Sequence, residues 1–161
     1  MKVYDCIMYF DEDLNLELRL NILDKYVDNF VIVEGNRTWQ NNYKKLRFDI
    51  KKFSKFKDKI IYIVVDKPPP DLLKIDESDK DNQDTRGQKL ILNGYKRDNY
   101  QRQMAQQALH NIEPDDWIII NDIDEIPNLK NVDMSTIKNK LLIFKQQIFY
   151  YKFNLLYPSI P

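Results

Sequence analysis

Asp122 and Asp124 stand at the end of the run Trp117-Ile118-Ile119-Ile120-Asn121, and Glu125-Ile126-Pro127 follows them. Side chains two apart on an extended segment point the same way, so this spacing predicts two carboxylates at one spot, delivered by a buried strand over 117–120. Hard oxygen ligands of that kind suit Mn²⁺ or Mg²⁺, ions that take one or two carboxylates and keep positions open for phosphate groups. An isolated Asp-X-Asp more often caps the next helix or solvates a turn. Phosphatases with an aspartyl nucleophile also place such a pair after an apolar strand. They carry it on the first strand with a Thr or Val nearby, whereas here it comes late and Glu125 follows directly.

Composition removes many other chemistries. Cys6 is the only cysteine and His110 the only histidine, which excludes an intramolecular disulfide, a Cys/His zinc site and any mechanism needing two histidines. Cys6 reads as core, and His110 as a solvated or capping residue at a helix end. The three glycines, Gly35, Gly87 and Gly94, cannot make a P-loop or a dinucleotide fingerprint, so any bound phosphate needs a metal or side chains. Lysine plus arginine equals aspartate plus glutamate at 25 each, and no overall field favours nucleic acid or an anionic membrane. No stretch approaches the roughly 18 apolar residues of a membrane span, and the start lacks a signal-peptide core. A single cytoplasmic domain over 1–161 is the expectation.

Alternating apolar runs place the elements. A strand is expected over 3–10, and a helix over 14–26, where Leu16, Leu20 and Leu23 recur at helical spacing behind N-cap candidates at 11–13. A short buried strand follows over 30–33, and Gly35 and Asn36 turn the chain. Leu46, Ile50 and Phe53 predict an amphipathic helix whose lysines, Lys51, Lys52, Lys55 and Lys57, face solvent. A third strand is read over 60–65. Pro68, Pro69, Pro70 and a run with no apolar residue over 76–89 read as a long loop. A helix over 90–112 buries Met104, Ala105, Ala108, Leu109 and Ile112, and the fourth strand follows. A short helix over 130–140 and one or two strands over 141–153 complete the chain.

Strands alternating with helices predict an α/β fold with a mainly parallel, Rossmann-like central sheet flanked by helices, in which ligands bind beyond the carboxyl ends of the strands. Those ends are Phe10 and Asp11, Glu34 and Gly35, Asp66, and 121–124. The helix preceding the fourth strand must start from that edge, with Gln101 in the middle of its apolar face, Arg97 close by and Arg102 on the border. An arginine so placed needs an anion, either the Asp pair or a bound diphosphate.

Four blocks in order give the chain a resemblance to glycosyltransferase family 17, which includes the enzyme that adds the bisecting N-acetylglucosamine to N-glycans. They are Tyr4-Asp5-Cys6 through Phe10-Asp11-Glu12; Leu16-Glu17-Leu18-Arg19-Leu20-Asn21 with residues 27–34; Arg97-Asp98-Asn99-Tyr100-Gln101-Arg102; and 121–127. The resemblance implies a GT-A-type fold, a UDP-sugar donor carrying a hexose or N-acetylhexosamine such as N-acetylglucosamine, a glycan acceptor, a divalent metal and inversion. Carried onto this chain, Asp122 and Asp124 would hold Mn²⁺ or Mg²⁺, with Asp122 also meeting the donor. Phe10 would be a donor-binding residue, Glu34, at the second strand end, would meet the nucleoside, and Arg97 and Arg102 would face the diphosphate or brace the carboxylates. A bridge to Arg19 is the structural alternative for Glu34.

An inverting transfer needs a carboxylate to take the acceptor's proton; Glu125 stands beside the metal motif, whereas the resemblance implies a base from later in the chain, so the sequence names none. Members of the family continue beyond the position of residues 150–161, so an acceptor-binding half is expected to lie outside this sequence. The contrasting expectation is a module that binds a nucleotide sugar without turnover. Lacking an amino-terminal anchor, and with an Asp- and Lys-rich segment over 67–89, the sequence points to an acceptor other than the mammalian one.

Overall fold

A computed structural model describes residues 1–76, 83–149 and 155–157. They fall into two compact units, Met1–Asp124 and Glu125–Pro161.

The first unit is built on four strands, β1 (Val3–Tyr9), β2 (Asn29–Gly35), β3 (Ile60–Val65) and β4 (Trp117–Asn121), in the spatial order β3-β2-β1-β4. All three pairings are parallel, with Cys6 opposite Val31 on one side and Ile120 on the other. Central parallel strands are covered on both faces, which is why β2 carries the continuous run Phe30-Val31-Ile32-Val33, all buried. The outer strands carry partly exposed residues, Val64 on β3 and Ile120 on β4. This is the α/β, Rossmann-like architecture expected from the alternation of elements.

Helix α1 (Asp13–Leu23) joins β1 to β2 and buries Leu16, Leu20 and Leu23 at the expected spacing. Its N-cap residue is Glu12, yet no side chain caps the helix. The Glu12 carboxylate instead turns back to accept from the backbone N–H groups of Phe10 at 2.9 Å and Asp11 at 3.0 Å, tightening the chain at the end of β1.

Between β2 and β3 the expected amphipathic α-helix is a 3₁₀ segment, Ile50–Phe56. Its buried residues are Phe53 and Phe56, three apart, whereas Leu46 and Ile50 stay exposed. The segment kinks at Phe53 (φ −115°, ψ 30°), whose ring stacks on Phe48 at 5.7 Å while Phe56 meets Phe30 edge-on.

Helix α2 (Gln83–Met104) begins seven residues before the expected start, inside the stretch that has no apolar side chains. An exposed polar helix leaves no apolar stripe, so periodicity cannot detect that portion. A 3₁₀ turn, Ala105–Ala108, ends it earlier than expected. Met104, Ala105, Ala108 and Leu109 pack on the cluster of Tyr4, Cys6, Val31, Val33 and Ile63, while Ile112 remains exposed. No helix of the described residues is long and apolar enough to cross a membrane.

Cys6 lies inside this cluster, where burial first and the nearby Asp5 second push its thiol up to about 12. The thiolate is the reactive form, so native protein at neutral pH is expected to resist a thiol reagent until it unfolds. Rapid labelling under native conditions, before any loss of circular dichroism, would contradict that placement.

In the second unit the expected helix over 130–140 is reduced to a 3₁₀ turn, Met134–Thr136. The Asp133 carboxylate accepts from the Ser135 backbone N–H at 3.0 Å and hydroxyl at 2.6 Å, a local turn that competes with helix formation. Of the strands expected over 141–153, the described residues show one antiparallel bridge, Phe149 to Leu156; residues 150–154 lie outside the described set.

Candidate functional site

The chain leaves β1 toward β2 and β3, then returns to place β4 on the opposite side of β1. Loops diverge at such a switch, and a crevice opens beyond the carboxyl ends of the strands. A cavity of about 530 Å³ lies there, lined by Phe10 and Glu12 after β1 and by Asp122 and Asp124 after β4. Arg37 and Trp39, after β2, and Arg97 and Arg102 of α2 line it as well.

The backbone under Asp122 and Asp124 departs from the extended segment that the two-residue spacing suggests. Strand β4 stops at Asn121, and Ile123 and Asp124 form a turn, yet both carboxylates border the cavity. A fully buried arginine holds this turn. Arg19 of α1 pairs with Asp5 of β1 through two bonds, Nε to Oδ2 at 2.8 Å and Nη2 to Oδ1 at 2.7 Å. Its Nη1 donates to the carbonyl oxygens of Asp122 at 3.0 Å and Ile123 at 3.3 Å, and Nη2 reaches the side-chain oxygen of Asn121 at 3.2 Å. The planar guanidinium thus ties α1, β1 and the end of β4 together.

Arg102 braces the pair from the other side: its Nη2 donates to Asp122 Oδ1 at 2.6 Å and its Nε to Asp98 at 3.4 Å. Partial burial disfavours its charge, but the two carboxylates outweigh that and hold its pKa above the ordinary arginine value. Asp122 remains half exposed and Asp124 is exposed, so the carboxylates stay open to the cavity.

Glu34 is placed differently from the expectation that it meets a nucleoside. Its carboxylate is fully buried and does not line the cavity. Oε1 accepts from the Lys44 ammonium and the Arg47 N–H (2.8 Å), and Oε2 from the Phe48 N–H (3.1 Å) and the Tyr62 hydroxyl (2.8 Å). Burial works against the ionised form, yet these donors prevail and keep its pKa below the usual value. Nor does Glu34 bridge to Arg19, whose partner is Asp5. Through Lys44 it acts on Phe10: the Lys44 Nζ also donates to the Phe10 carbonyl at 3.1 Å and sits 4.7 Å from the center of its ring. Phe10 itself is exposed at the cavity wall. Glu125 is exposed and opens the second unit.

Arg37 was not singled out by sequence, because a lone arginine after a turn carries no pattern. The segment after β2 folds back on itself: Thr38 N–H donates to the Asn42 carbonyl, Asn41 N–H to Thr38, and Lys44 N–H to Asn36. Asn41 takes the left-handed conformation, φ 75°, that asparagine tolerates, and Asn41-Asn42 was the available turn signal. Opposite this loop, Gly94 of α2 makes room for Trp39, whose ring atoms would lie 2.2–2.5 Å from any Cβ there. Gln101, as its central position on the helix face suggests, crosses to β2 and donates to the Val33 carbonyl at 2.8 Å.

A divalent ion fits this donor set. No group of three or more His, Cys, Asp or Glu side chains able to hold a metal occurs among the described residues. Two carboxylates on an open cavity are of the kind and number that Mg²⁺ or Mn²⁺ takes from a protein when phosphate and water complete its shell. A second cavity of about 450 Å³, beside Ile118, Ile120 and Leu109, is mainly apolar and brings no carboxylate to the chemistry.

Among known protein families, the model described as glycosyltransferase family 17 matches residues 1–158. No curated protein and no solved structure matches the chain.

Proposed function

Because the chain belongs to glycosyltransferase family 17, and is therefore read as a glycosyltransferase, we propose that it moves a hexose or N-acetylhexosamine, with N-acetylglucosamine favoured, from a UDP-sugar to a glycan hydroxyl with inversion. The observation that carries this reading is the meeting of Asp122 and Asp124 with three arginines around one cavity at the switch point of the sheet. Negative groups there suit a divalent cation, and positive groups suit the diphosphate of a sugar nucleotide.

Asp122 and Asp124 are the residues that would hold Mn²⁺ or Mg²⁺, which supplies neutralisation of charge on the leaving diphosphate. Arg102 fixes the rotamer of Asp122, and Arg19 fixes the backbone that carries both carboxylates. Phe10, held by Lys44 and indirectly by Glu34, offers an apolar face to the nucleoside. The acceptor hydroxyl must lose its proton to a carboxylate, and Glu125 is the candidate by its place in the chain.

The test is a donor panel of UDP-, GDP- and dTDP-sugars, with Mn²⁺ or with chelator, read as nucleoside diphosphate release with and without glycan acceptors. Release of UDP that requires the metal is the expected result. Release from none of the donors, with UDP still bound, would leave a nucleotide-sugar-binding module without turnover. Phosphate release from simple esters would point to a phosphatase instead.

A further inference from the structure

We propose that Arg37 and Arg97 form a phosphate-binding site in the cavity that the Asp pair also lines, and that it binds without a divalent ion. It deepens the donor reading above, on which the source of the phosphate rests. Each guanidinium is anchored at one nitrogen by a neutral carbonyl, Arg37 Nη1 to Asn41 at 3.1 Å and Arg97 Nη1 to Trp39 at 2.9 Å. Neither is paired with a carboxylate among the described residues, in contrast to Arg19 and Arg102. The Nε atoms of both are buried and have no hydrogen-bond acceptor. Buried polar groups are overwhelmingly satisfied, so two orphaned donors on adjacent arginines ask for an explanation.

Charge makes the need more specific. Burial first, and the neighbouring Arg37 second, hold the Arg97 pKa below the ordinary arginine value. A cavity of about 30 Å³, also bordered by both residues, has room for water. Water can satisfy an N–H, but it cannot offset two like charges. A phosphate group supplies that charge, since its oxygens match the planar fork of a guanidinium and its charge matches a pair of them.

The two arginines are also held in place before any ligand arrives. Arg37 lies 4.0 Å over the Tyr43 ring, within the loop closed by the Thr38–Asn42 and Asn41–Thr38 bonds. The carbonyl that anchors Arg97 belongs to Trp39, which packs against Gly94 and meets Tyr95 edge-on at 5.9 Å. Ordering long side chains in advance lowers the entropy lost on binding.

The phosphate could come from the donor diphosphate or from a phosphorylated acceptor, and binding measurements separate them. Calorimetry in chelator is performed with pyrophosphate, UDP and uridine on the native chain, Arg37→Gln, Arg97→Gln and the charge-retaining Arg37→Lys, each checked for native circular dichroism. Pyrophosphate is expected to bind the native chain without metal, and each glutamine variant to weaken it about tenfold or more, with Arg37→Lys intermediate. UDP losing affinity in parallel, while uridine does not change, assigns the site to the donor. Pyrophosphate weakened with UDP unaffected assigns it to a phosphorylated acceptor. If UDP fails to bind even with Mn²⁺ while the arginine-dependent pyrophosphate binding persists, the donor reading falls and the site stands. No pyrophosphate binding by the native chain in chelator, or binding unchanged in both glutamine variants, overturns the proposal.

Discussion

Arg19→Met is expected to destabilise the first unit by about 3–5 kcal/mol, because it strands the Asp5 carboxylate in the core without its cation. Both side chains are fully buried, and Asp5 stands on the central strand β1, opposite Phe30 of β2 and Ile119 of β4. Water cannot reach the orphaned charge unless the sheet opens. The check is the denaturant midpoint of the variant against the native chain. Arg19→Lys should recover only part of the loss, since an ammonium cannot reproduce the two-pronged bond to Asp5 together with the carbonyl contacts. An unchanged midpoint in Arg19→Met would show that the pair contributes nothing.

Stability and positioning can be separated with the double variant Arg19→Met with Asp5→Leu. Replacing a buried ion pair by apolar groups of similar size is often neutral, so most of the stability should return. Donor turnover should not return with it. The Asp122 and Ile123 carbonyls would still lack the donors that fix the turn under the carboxylates. Full recovery of both would reduce Arg19 to a purely structural role.

What the sequence made legible follows from the range over which each signal acts. The residues of β2, β3 and β4 are apolar runs, and α1 repeats leucine at helical spacing; these are local patterns, and the elements appear where expected. The carboxyl-edge cavity follows from the order of elements alone. By contrast, the partners of Arg19 lie 14 residues away at Asp5 and more than 100 away at Asp122, and only the completed sheet brings them together. Glu34 looked available at a strand end because its donors, Lys44, Arg47, Phe48 and Tyr62, come from later segments that fold over it. Arg37 gained meaning only when its loop closed opposite α2. The turn at Ile123 and Asp124 was hidden for a related reason: the buried guanidinium that stabilises those carbonyls belongs to a different helix.

Asp124→Ala should abolish most metal-dependent turnover while leaving the fold intact. Asp124 is exposed and makes no hydrogen bond or ion pair among the described residues, so its loss should change stability by no more than about 0.5 kcal/mol. On the proposed reading it is one of only two protein ligands to the ion. Disturbing groups that merely orient a metal ligand costs about 10–100-fold, and deleting the ligand itself should cost about 100-fold or more in turnover at limiting Mn²⁺. Asp122→Ala is expected to differ, because Arg102 would lose a close partner and be left with Asp98 alone on that side, so stability should fall along with activity. A titration of turnover against Mn²⁺ distinguishes ligand from bystander: the Asp124→Ala curve should shift to higher metal concentration with partial recovery. Native-like turnover and unaltered sensitivity to chelator in that variant would remove the Asp pair from the chemistry.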